Sequence, residues 1–214
     1  MNWTRLEPAL QACPVVPVLT IPSVEHAEPL ARALEAGGIT VSETTLRTPA
    51  GLEAVQTFRS VCNDMVVGVG SILDEKALTA SIDAGADFVV TPGFDLQLLE
   101  ALVHAPVPAL PGVSTPSEAM MARRAGLRKV KLFPAEVVGG AQMLKGLAGP
   151  IPDMSFMPTG GVTLTNMAEY LALPNVYAVG GTWIAKAEHL EAGDWDGITA
   201  RAREAVDAAR AARG

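Results

Sequence analysis

The sequence predicts an α/β protein: one (β/α)8, or TIM, barrel in a single domain over residues 1–214. Three observations predict it. Eight short apolar, β-branched runs recur along the chain, each the length of a buried parallel strand. Stretches with helical spacing lie between them, and such alternation favours a parallel sheet covered by helices. A weak internal repeat links the two: Ala33–Val41 (ALEAGGITV), Ser81–Val89 (SIDAGADFV) and Ala122–Val130 (ARRAGLRKV) each pass from a helix end through Ala-Gly into a strand. Eight such units in a chain of this length sit at the small end of the barrel fold. A doubly wound open sheet is the alternative. No Gly/Ser- or Pro-rich linker divides the chain into two halves.

The first strand is expected at Val15–Leu19, followed by a helix at Val24–Ala36 for which Ser23 is the candidate N-cap. The second strand is expected at Ile39–Thr45, the third at Met65–Val69 and the fourth at Phe88–Thr91. The fifth, Ala109–Pro111, carries the weakest signal, because Pro106, Pro108 and Pro111 crowd it. A helix at Pro116–Ala125 follows Thr115, which forms a capping box with Glu118. The last strands are expected at Lys129–Phe133, Phe156–Pro158 and Val176–Val179, and Ile198–Ala212 has the pattern of a closing helix. Glycine after Ala36, Ala84 and Ala125 supplies left-handed helix ends cheaply.

Composition narrows the function. Hydrophobic residues make up 49% of the chain and charged residues 18%, which excludes disorder as the main state. The net charge is −7, with no block of Lys or Arg, so a nucleic-acid or anionic-membrane partner is not expected. Cys13 and Cys62 cannot make a disulfide framework. No run approaches the ~20 apolar residues that span a bilayer, and the N-terminus has no secretory pattern. A cytoplasmic protein is therefore expected.

Barrels of this kind carry their chemistry where strands end. Lys131, one of five lysines, lies inside the apolar run of the sixth strand, near its end. Burying an ammonium is costly unless it is paired or deprotonated, so Lys131 is either an amine nucleophile or a strand-edge lysine that snorkels to water. Lys129 lies at the strand's start and reads as structural. On the second strand Glu43, Thr45 and Arg47 share a face. Glu43 could shuttle protons and Arg47 could fork onto a carboxylate, or the two could form a structural ion pair. The third strand runs into Gly70-Ser71 and the fourth into Pro92-Gly93. The seventh and eighth end in Thr159-Gly160-Gly161 and Gly180-Gly181-Thr182. Paired glycines in those two loops suit phosphate; two tight turns are the plainer alternative. His26, His104 and His189 are scattered, and neither a dinucleotide nor a Walker A glycine pattern is present, so no metal and no cofactor is expected.

The segments Ala36–Pro49 (AGGITVSETTLRTP), Pro111–Glu136 (PGVSTPSEAMMARRAGLRKVKLFPAE) and Met157–Val162 (MPTGGV) resemble the bacterial 2-keto-3-deoxy-6-phosphogluconate (KDPG) aldolases, a family that includes the 4-hydroxy-2-oxoglutarate (KHG) aldolases. The match runs from Pro14 to about Ala205, and its most specific parts are Lys-Leu-Phe-Pro-Ala-Glu and Pro-Thr-Gly-Gly. The resemblance implies a class I aldolase, a homotrimer of (β/α)8 subunits, acting on a keto-acid phosphate without a cofactor. In it Lys131 matches the Schiff-base lysine and Glu43 the general acid/base. Arg47 and Ser71 match the carboxylate-binding pair, with serine where many members carry threonine. Pro92, Phe133 and Thr159 match residues that line the pyruvyl pocket, and Gly160, Gly161, Gly181 and Thr182 the phosphate end. Thr20 stands where some members place an arginine. An aldolase for the galactonate epimer or for KHG shares this pattern, and a phosphate-binding barrel isomerase or a non-catalytic barrel would share parts of it.

Overall fold

The apolar runs fold as parallel strands, and helices cover them from outside. The computed structural model describes residues 3–213; Met1, Asn2 and Gly214, the ends of the expected domain span, lie outside the described residues. In chain order the elements are α1 (Leu6–Ala12), β1 (Val15–Leu19), α2 (Ala27–Ala36), β2 (Val41–Thr45), α3 (Gly51–Val61), β3 (Val66–Gly70), α4 (Glu75–Asp83), β4 (Phe88–Val90) and α5 (Leu96–His104). There follow β5 (Ala109–Leu110), β6 (Gly112–Val113), α6 (Pro116–Arg124), β7 (Lys129–Leu132), α7 (Gly140–Ala148), β8 (Ser155–Pro158), α8 (Met167–Leu171), β9 (Val179–Gly181), α9 (Ala187–Glu191) and α10 (Trp195–Arg213).

A six-stranded sheet runs β5-β4-β3-β2-β1-β9 and a three-stranded sheet runs β6-β7-β8. Every pairing is parallel. Isolated parallel bridges, Phe156 to Val176 and Thr159 to Gly180, connect the smaller sheet to the chain around β9. Side chains alternate across each strand. Val15, Val67, Val89, Val130, Leu132 and Phe156 join the large cluster under the helices. Their neighbours Val16, Val66, Phe88, Val90 and Met157 form a second cluster inside, together with Val41 and Leu110. Leu6 and Leu10 of α1 belong to that inner cluster, so α1 covers it from the end where the strands begin. The parity of β7 puts Lys131 inside, because Val130 and Leu132 are outside. On β2, Glu43 shares the inner face of Val41 and stands opposite Val18 and Gly68 in register.

Four differences from expectation go beyond a residue or two at an element's end. The fifth run yields β5, which pairs with β4, and a further strand not expected, β6, follows just beyond it and pairs with β7. Pro111 between them has no N–H to give, but its carbonyl accepts from Lys131 N at 2.9 Å. The eighth strand is Val179–Gly181, because pairing with β1 begins where Val179 N reaches Pro14 O at 2.9 Å. Glycines have low strand propensity, so the β-branched residues mark the approach rather than the strand. The helix expected at Val24 begins as a 3-10 turn, Val24–His26, and the Ser23 side chain makes no capping bond. The closing helix starts earlier, at Trp195. By contrast Thr115 caps α6 as expected: Glu118 N donates to its Oγ1 at 3.2 Å and Thr115 N donates to Glu118 Oε2 at 2.9 Å.

Candidate active site

Two opposed strands bring the site together. Lys131 Nζ lies 3.1 Å from Glu43 Oε1 and 3.5 Å from Oε2. Both are withdrawn from water, with side-chain exposures of 5% and 1%. The lysine therefore does not snorkel. A buried pair of this kind is a weak stabiliser, since desolvation offsets its attraction, which leaves chemistry as the better reason for it. The Phe133 ring sits 5.2 Å from Nζ. The carboxylate occupies space that a side chain on β3 would fill: a Cβ at Gly70 would fall 2.0 Å from Glu43 Oε1.

The ion pair between Glu43 and Arg47, left open by the sequence, is not the one formed. Arg47 lies beyond the end of β2, exposed, and its Nε donates to Ser71 Oγ at 3.1 Å. Ser71 adopts a left-handed conformation, φ 63°. Thr45 is tied to the end of the neighbouring strand β1, donating to Leu19 O at 2.9 Å and lying 3.2 Å from Thr20 Oγ1.

Lys131, Phe133, Arg47 and Thr159 line one cavity of about 190 Å³. Gly160, Gly161, Gly181 and Thr182 line it too, as do Val18 and Val162, which the sequence reading did not single out. Val18 was legible in principle, since it shares a strand face with the inward Val16. Ser71 meets this cavity through Arg47, and Glu43 through Lys131. Pro92, half-buried, is not among its lining residues. Thr159 is buried, with its hydroxyl 3.4 Å from Met157 O.

The histidines have separate surroundings. His26 faces Trp195 at 6.2 Å between rings, His104 Nδ1 lies 2.8 Å from Glu100 O, and His189 Nδ1 accepts from Lys186 N at 3.2 Å. Among the described residues no group of three His, Cys, Asp or Glu side chains is arranged to hold a metal ion. Nor is any helix among them long and apolar enough to cross a membrane.

Chemically, the site as a whole has an amine and a carboxylate in contact, a guanidinium beside a hydroxyl, and a glycine-lined end to its cavity. Residues 6–201 match the family model for KDPG and KHG aldolase. The chain is 46% identical over 211 residues to a 2-dehydro-3-deoxy-phosphogluconate aldolase of Dickeya dadantii, covering 98% of this chain and 99% of that one. It is similar to a KDPG aldolase from Legionella pneumophila solved with pyruvate captured as a covalent carbinolamine intermediate (TM-score 0.91, 38% identity, 96% of this chain and 100% of that one). It is also similar to the enzyme of Zymomonas mobilis ZM4 solved with 3-phosphoglycerate (TM-score 0.88, 39% identity, 96% of each chain).

Proposed function

Because the chain belongs to the KDPG and KHG aldolase family, we infer that it is a class I aldolase, a lyase that cleaves KDPG reversibly to pyruvate and glyceraldehyde 3-phosphate. The observation that carries this reading is the buried contact of 3.1 Å between Lys131 Nζ and Glu43 Oε1 beside a cavity with a guanidinium and a glycine-lined end.

Lys131 passes a proton to Glu43 and its Nζ bonds to C2 of the keto acid. The attacking nitrogen and then Glu43 each give one proton to the former carbonyl oxygen, which leaves as water; an iminium cation remains and Glu43 is a carboxylate again. That cation takes the electron pair of the C3–C4 bond as the C4 hydroxyl loses its proton to Glu43, and the aldehyde departs. The enamine left behind is protonated at C3, and water then hydrolyses the imine to pyruvate and free Lys131. Arg47 and Ser71 hold the carboxylate, orienting C2 towards the amine, while Phe133 and Thr159 flank the pyruvyl group. Gly160, Gly161, Gly181 and Thr182 receive the phosphate. Holding that remote group fixes the reacting bond over the lysine.

The same reading includes three further features. The two sheets close into one eight-stranded barrel in a single domain; the bridges from β8 to the β9 region and the adjacency of β5 and β6 support it. The subunit forms a homotrimer, which would give exposed Leu73, Leu96 and Val137 a partner. The location is cytoplasmic, in keeping with Cys13 and Cys62 being free and buried.

A pyruvate-release assay with KDPG tests the activity. The wild type turns over, Lys131→Ala does not, and Glu43→Gln is slower by roughly 100- to 10,000-fold, the span of general acid–base contributions. Near-normal turnover of Lys131→Ala would exclude the imine route.

A further inference from the structure

The loop that contains Gly160 and Gly161 is held from behind by residues that do not line the cavity. Ala135 N donates to Thr159 O at 2.8 Å and Glu136 N to Gly160 O at 3.1 Å. Asn166 Nδ2 donates to Gly161 O at 3.1 Å. Three successive carbonyls are thus turned away. In a planar trans peptide the following N–H points opposite to its carbonyl, so the amides of Gly160, Gly161 and Val162 are aimed the other way, and all three residues line the cavity. The Glu136 side chain lies directly against the loop. A Cβ at Gly161, where φ is +82°, would fall 2.4 Å from Glu136 Cγ. On α8 the fully buried Tyr170 donates its hydroxyl to Glu136 Oε1. Burial, and then the hydrogen bond and charge of Glu136, push the Tyr170 phenol up, which keeps the donating proton in place.

We propose that Tyr170 and Glu136 are a positioning pair that presents the amides of the Gly160–Gly161 loop to the substrate's phosphate, and so sets the preference for phosphorylated over unphosphorylated keto acids. This rests on the reading above that the loop receives phosphate. Tyr170 fixes the Glu136 side chain, Glu136 fills the place beside Gly161, and its backbone N–H pins Gly160. The pair touches no substrate; it acts through the backbone it braces. The contact between Lys131 on β7 and Glu43 on β2 involves neither Tyr170 nor the Glu136 carboxylate and stays as it is.

Steady-state kinetics of Tyr170→Phe and Glu136→Gln, with KDPG and with 4-hydroxy-2-oxoglutarate, test it. Tyr170→Phe removes one hydrogen bond to a carboxylate and keeps the ring. The expected result is a KM for KDPG raised about 10-fold at unchanged kcat, with kcat/KM for 4-hydroxy-2-oxoglutarate unchanged. Glu136→Gln changes in the same direction. Competitive inhibition by inorganic phosphate weakens in parallel. If the wild type prefers KDPG and is inhibited by phosphate, but the variants lose both substrates equally or neither, the positioning role is overturned and the phosphate site stands. If the wild type shows no such preference and no inhibition by phosphate, the phosphate reading falls and takes the pair's role with it.

Discussion

Glu43 and Lys131 were legible because each is an ionisable residue inside a short strand run, a placement whose burial costs free energy without a task. The sequence left Glu43 a choice of partners, and distance decides it: β7 delivers Lys131 to 3.1 Å, whereas Arg47 stands beyond the rim on Ser71. Gly70 shows what single residues contribute without reacting. Its missing side chain leaves room for the Glu43 carboxylate. Gly70→Ala should therefore displace Glu43 and reduce kcat by roughly 100-fold or more, while the far-ultraviolet circular dichroism stays that of the wild type. Unchanged kcat would mean that the carboxylate's place is not critical. Tyr170 and Glu136 escaped the sequence reading for the opposite reason: a buried tyrosine and an exposed glutamate are ordinary, and only the fold sets them behind the glycine loop.

Among the elements, the apolar runs met every strand but β6, and not every edge. After Pro111 the chain forms a second, separate pairing at Gly112–Val113, and Gly180 and Gly181 extend another run beyond its β-branched residues. Neither effect is visible without the neighbouring strand. The helix α1 was not anticipated, since its two buried residues, Leu6 and Leu10, are too few to register as a periodic pattern. Capping chemistry was readable because it is local. The Thr115 and Glu118 box predicts that Thr115→Ala costs about 1 kcal/mol, measured by urea denaturation. Burial by itself would raise the Glu118 carboxyl, but hydrogen bonds from Ser114 and Thr115 outweigh it and hold the group below its ordinary value. A depressed folded value means that this stabilisation is present above the unfolded carboxyl's value, about 4.3, and is lost as pH falls through the folded one. Wild type should thus exceed Glu118→Gln in urea midpoint at pH 7, and the gap should close on acidification. A gap that widens in acid would contradict the assigned bonds.

For the molecule as a whole, parallel strands with two distinct faces explain why one end can be reactive and the other inert. Val16, Val66, Phe88 and Met157 fill the interior beneath the site, and Leu6 and Leu10 of α1 cover it from below. The Lys131–Glu43 pair is itself almost wholly withdrawn from water, with Lys131 at the edge of the cavity. The outer surface carries large apolar side chains with no cover, among them Leu73 and Leu96 at 71% exposure and Val137 at 82%, and assembly would remove them from water. Size-exclusion chromatography with light scattering should give three times the chain mass for the proposed trimer; a monomer at micromolar concentration would exclude it. Oligomeric state was not readable from composition or periodicity, because single exposed apolar residues are common on any surface.

The most direct measurement is reductive trapping. The protein is treated with pyruvate and borohydride, weighed intact by mass spectrometry and mapped by peptide digestion. One covalent adduct, on Lys131, is expected in the wild type and none in Lys131→Ala. No adduct, or one confined to Lys76, Lys129, Lys145 or Lys186, would contradict the assignment of Lys131 as the amine that bonds the keto acid.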